Sequence, residues 1–153
     1  MSIEALAGVI GTVVAILALV WQVAVHRNSG HRIRVQSSYI MPVFDDMEIG
    51  DEDFIQVEVT NRGGKPATVT NYAVGLGNRK KGSNMFVLRP PAWASPLPTV
   101  AEPGGAPVRL LVPVADLQKA RDSKGIPFHQ MTPWIQLGDG RKVYSSNSVP
   151  MKD

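Results

Sequence analysis

The chain has 153 residues, enough for one ordinary domain and a further segment. Twelve Pro and fourteen Gly argue against an all-helical fold, and the absence of cysteine excludes disulfide frameworks, thiolate zinc sites and thiol nucleophiles together. A net charge of +3, spread over scattered basic residues, is too weak for a nucleic-acid surface, so no nucleic-acid partner is expected.

The first element is apolar. Ala5 to Val25 contains no charged residue, and most of its positions are Leu, Ile or Val with Ala. A helix of that length spans roughly 30 Å, the thickness of a bilayer core. Its Leu, Ile and Val residues favour insertion by roughly 3 to 7 kcal/mol in total, partly offset by Gly8, Gly11, Thr12 and Gln22. The preceding residues carry Glu4 and no base, unlike a cleaved signal peptide. This predicts a single transmembrane anchor over residues 1–27, with the lipid bilayer as partner. Arg27, Arg32 and Arg34, with His26 and His31, crowd the C-terminal flank, so the positive-inside rule places the following soluble domain in the cytoplasm. Ala7, Gly11 and Ala15, with Ala18 nearby, form a row of small residues that lets helices pack closely, through self-association or with a partner's helix.

Residues 28–31 read as a short linker, and residues 32–153 as a β domain. Arg32 to Gln36 alternates polar and apolar residues, the period of a half-buried strand. After the acidic run Asp45–Asp53, Phe54 to Thr60 is the clearest strand, with Ile55, Val57 and Val59 on one face. Asn61 to Pro66 is a turn by composition, and a strand restarts at Ala67 and runs to Leu76. Arg79, Lys80 and Lys81 lie at the next turn, followed by a strand near Met85–Leu88. Arg89 to Pro107 reads as an extended loop, and Val108 to Val112 as another strand. Val114 to Lys124 is the one helix expected in the domain, with basic residues at its end and Gly125 after it. Trp134–Leu137 and Lys142–Ser145, joined through Gly138–Arg141, read as a closing hairpin. About seven strands with one short helix predict a sandwich.

The stretch Val57-Glu58-Val59-Thr60-Asn61-Arg62-Gly63-Gly64-Lys65-Pro66-Ala67-Thr68-Val69 resembles a strand-turn-strand of bacterial immunoglobulin-like β-sandwiches. The plan as a whole, closing on Gly140-Arg141-Lys142-Val143-Tyr144, is similar to small membrane-anchored bacterial proteins with such a domain. The resemblance implies an all-β immunoglobulin-like sandwich behind a single transmembrane helix, and a bacterial or phage setting; with the anchor and its orientation, the expected location is the bacterial inner membrane. It implies no activity.

The chemistry-bearing residues are sparse. The acidic run does not have EF-hand spacing and reads as a solvated loop. His26, His31 and His129 form no zinc-hydrolase pair, and there is no nucleophile elbow or phosphate loop. No cofactor, metal or catalytic residue is expected, and the chain is not expected to be an enzyme. Trp93, flanked by Pro90 and Pro91, is the partner-binding candidate, since an aromatic in an extended Pro-rich loop is a common recognition element. Arg27, Arg32, Arg34, Arg79, Lys80 and Lys81 are the candidates for anionic headgroups. The expected function is a membrane-tethered protein-binding or scaffold domain, an accessory subunit of a membrane complex. A lipid-surface or sensor module is the alternative.

Overall fold

A computed structural model describes residues 3–28, 30–41, 52–77, 82–87 and 90–152, and within the first helix the side chains of Gly8 and of residues 10–25. That helix, α1, spans Ile3–Asn28. Among the described residues eight strands follow in two sheets.

The first sheet has β1 (Ile33–Ile40), β2 (Phe54–Asn61) and β6 (Val108–Pro113) in the order β1-β2-β6. The second has β3 (Ala67–Leu76), β4 (Ser83–Phe86), β7 (Met131–Leu137) and β8 (Lys142–Tyr144) in the order β4-β3-β7-β8. The short β5 (Thr99–Ala101) also pairs with β3. All strand pairings are antiparallel.

Period-2 patterning decides which face of each strand is buried. Along β2, Ile55, Val57 and Val59 are fully buried, while Gln56, Glu58 and Thr60 between them are half-exposed. They meet Leu110 and Val112 of β6, Val69, Tyr72 and Val74 of β3, and Ile135 of β7 in one core. Each such aliphatic side chain contributes about 1.5–3 kcal/mol when fully buried.

The helix read from Val114 to Lys124 forms over those residues, as α2. Pro113 precedes it in an extended conformation, where its missing N–H is no loss. Asp116 sits in the first turn and Arg121 and Lys124 in the last, each opposing the helix dipole. Gly125 ends the helix at φ 64°, a left-handed conformation that favours glycine, and its N–H donates to Arg121 O at 2.7 Å. Leu117 and Ala120 turn one face of α2 into the core. A single 3-10 turn, Phe128–Gln130, leads into β7.

The chain following α1 is fastened to the Asn61 turn. Asn61 is buried, and its Oδ1 accepts from the N–H groups of Arg32 (3.3 Å) and Gly63 (3.0 Å). Its Nδ2 donates to the carbonyls of Lys65 (2.7 Å) and Ala101 (2.9 Å). The backbone at Gly30–Arg32 lies so close to Gly63 that a Cβ there would stand 2.1 Å from Gly30 O. Beside this junction His31 lies 3.6 Å from Asp139 and also contacts Arg141. Hydrogen bonds from the Arg141 backbone and side chain hold the Asp139 carboxyl below its ordinary range.

Several expectations are corrected here. The sandwich of about seven strands and one short helix behind a transmembrane segment is instead an eight-strand, two-sheet β domain with two α-helices. Among the described residues no helix is long and apolar enough to cross a membrane. That finding overturns the membrane tether. It also removes the basis for the lipid bilayer as partner, for pairing through a membrane helix, for an accessory role in a membrane complex and for a lipid-surface module. The inner-membrane location and the orientation derived from it fall with the tether.

Candidate functional site

Sheet edges leave backbone hydrogen-bonding groups unpaired, so how each edge is covered decides where another chain could add. The Pro-rich loop covers the edge of β6 at Arg109. Ser95 N–H donates to Arg109 O at 3.0 Å, and Arg109 N–H donates to Ser95 Oγ at 3.1 Å. The loop is held there by Trp93, whose ring meets buried Phe54 edge-on with centroids 5.3 Å apart. Trp93 therefore packs on the outer face of the first sheet while staying 40% exposed. Pro90 is exposed and Pro91 half-buried beside it.

The edge of β4 is different. It pairs with β3 in the register Ala73↔Phe86 to Leu76↔Ser83, and ends its sheet. Among the described residues no loop backbone hydrogen bond reaches β4. A cleft of about 710 Å³ runs alongside it, between β4 and α2. That volume falls within the range of about 300–1,000 Å³ typical of ligand clefts. Leu76, Met85 and Ala120 line it with apolar surface. Asp116, Lys119, Ser123 and Lys124 stand along the α2 wall, at the spacing that places them on one helix face. Lys124 Nζ donates to Ser83 Oγ at 2.6 Å and ties the end of α2 to the start of β4.

Because strand side chains alternate, β4 presents two surfaces. Met85 is half-buried and packs against the core. Asn84 and Phe86 project to the opposite face, where Trp134 lies. Trp134 Nε1–H donates to Asn84 Oδ1 at 3.0 Å, and Phe86 meets the indole edge-on at 6.0 Å between centroids. Lys142 Nζ stands 4.3 Å from the centroid of the Trp134 ring. Trp134 is buried by these neighbours, yet Phe86 remains 48% exposed, an apolar margin beside the cleft.

A smaller cleft of about 180 Å³ opens at the start of α2, between Glu52, Asp53 and Gln118. Asp53 accepts the hydrogen bond of the Tyr39 hydroxyl, which raises the Tyr39 pKa above its ordinary value. Among the described residues no three His, Asp or Glu side chains gather as a metal site.

The residues read from the sequence are dispersed. Arg32 and Arg34 are exposed at the start of β1, and the Arg27 side chain lies outside the described residues. Arg79, Lys80 and Lys81 lie outside them as well, as do Asp45 to Asp51 of the acidic run. Gly11, Ala15 and Ala18 are exposed on α1, and a Cβ on Gly11 would meet nothing within 4 Å; the Ala7 side chain is not among those described. None of the described ones lines the β4 cleft. Sequence reading missed that cleft because its walls, 83–86 and 116–124, are brought together only by the fold. The local signal was the helical spacing of Asp116, Lys119, Ser123 and Lys124. No protein family, curated protein or solved structure matches this chain.

Proposed function

We propose that this chain is a protein-binding domain that performs no chemistry, and that it takes an extended segment of its partner into the cleft between β4 and α2. The observation that carries this reading is the edge of β4, which ends its sheet and to which no described loop backbone bonds, beside an apolar-floored cleft, when the edge of β6 is covered at Arg109 by its own loop. Addition of a strand to a free sheet edge gives affinity through main-chain hydrogen bonds, and flanking pockets read alternate side chains. Phe86 and the α2 wall supply those two flanks.

Selection of displayed random peptides on the full chain tests this. Peptides recovered should lose binding to a chain carrying Ser123→Trp, which places an indole in the cleft from an exposed helix position. Recovery of no peptide, or of peptides that bind the variant equally well, would overturn the proposal.

A further inference from the structure

We infer that the β4 cleft selects a partner segment lying antiparallel to β4, with an apolar side chain over Met85 and Ala120 and a carboxylate side chain toward its C-terminal end. This rests on the binding function proposed above and specifies its ligand.

The two walls match in length. From Asp116 to Lys124 α2 advances about 12 Å, and from Ser83 to Phe86 β4 extends about 10 Å. Their directions are opposed, because the last residue of α2 bonds to the first residue of β4. The cleft therefore has distinct ends. Lys124 marks the Ser83 end, Asp116 marks the Phe86 end, and Lys119 stands between them, one turn from Asp116.

An added strand that runs antiparallel to β4, the slightly more stable pairing, brings its C-terminal side to the Ser83 end. A carboxylate there meets Lys124. A carboxylate at the other end would meet Asp116 and be repelled. Between the ends, side chains of one parity point into the cleft and those of the other parity lie beside Phe86. The segment recognised is thus about four residues long, apolar at alternate positions, and acidic just after them.

The test uses three blocked eight-residue peptides and the full chain labelled with ¹⁵N. The first alternates Val and Thr and ends in two Asp, the second ends in two Lys, and the third carries the two Asp at its start. The first should bind about tenfold more tightly than either of the others, with shifts confined to residues of β3, β4 and α2. Its advantage should shrink at high salt, as screening requires. Lys124→Glu, at an exposed position, should remove the preference, and Lys119→Gln should weaken it. Equal binding of all three peptides at β4 and α2 would overturn the charge selection while leaving the binding function standing. Tighter binding of the third would overturn the antiparallel orientation. No shift at β4 or α2 with any peptide, or a dimer of the chain formed through β4 itself, would overturn both.

Discussion

The hydroxyl of Tyr72 on β3 donates to the carbonyl of Leu111 on β6 at 2.8 Å, joining the two sheets through the interior. Tyr72 is buried, and burial pushes its pKa up to about 12 from the ordinary 10.0. The neutral form is thus favoured by folding. Its stabilisation is fully present below pH 10, and is lost as pH rises from the unfolded value of 10.0 to the folded value of about 12. Spectrophotometric titration should show one tyrosine ionising near pH 12, and that step should vanish in Tyr72→Phe. The same variant should lose about 1 kcal/mol in urea unfolding at pH 7. A variant with an unchanged alkaline titration would show that Tyr72 is accessible to water.

Asn61 should be the most sensitive polar position in the domain. Its side chain makes four hydrogen bonds and fastens three separate stretches of chain. Asn61→Ala leaves buried backbone groups unpaired, each loss amounting to about 1–3 kcal/mol, and should destabilise the domain by roughly 3 kcal/mol or more. Gly63→Ala should be similarly severe, because the added Cβ would meet backbone atoms of residues 30–32 that no side-chain rotation can move aside. Equilibrium denaturation of both variants checks this, and a loss under 1 kcal/mol in either would refute it.

Removal of residues 1–29 should leave the β domain folded. No described side chain of α1 contributes to the core, which is built from Val35 to Val149. The large apolar side chains from Ile10 to Val25 are each at least half exposed, so α1 presents a surface for apolar contact. The shortened chain should melt within a few degrees of the full chain in calorimetry, and should be more soluble. A fall in Tm of 10 °C or more would show that α1 supports the fold.

Trp93→Ala should act on stability and not on binding in the β4 cleft. The ring packs on Phe54 and helps hold Ser95 against β6, so its loss should cost about 1–3 kcal/mol and open that edge. Peptides that occupy the β4 cleft should bind the variant with unchanged affinity. Lost peptide binding with unchanged stability would instead assign recognition to the Pro-rich loop.

The local elements were legible because each has a local cause. The alternation of Ile55, Val57 and Val59 marks a strand with one buried face, and the strand forms over Phe54–Asn61. Basic residues and Gly125 mark the end of α2, and the helix stops at Lys124. Inside Arg89–Pro107, read as a loop throughout, Thr99–Ala101 became a strand because β3 offers partners at Ala67–Val69. No periodicity within three residues could have announced that pairing.

What the sequence by itself determined is the β character of the described part of residues 32–153, the place of α2, and the turn chemistry at Asn61 and Gly125. Those follow from side-chain period and backbone preference, which act over a few residues. Only the tertiary structure decided which sheet edges are covered. The Ser95 pairing with Arg109 covers part of β6, while α2, arriving from the end of that strand, stands off from β4 and leaves a cleft. Edge coverage depends on hydrogen bonds and packing between segments far apart in the chain, and those distances are fixed only when the core of both sheets has formed.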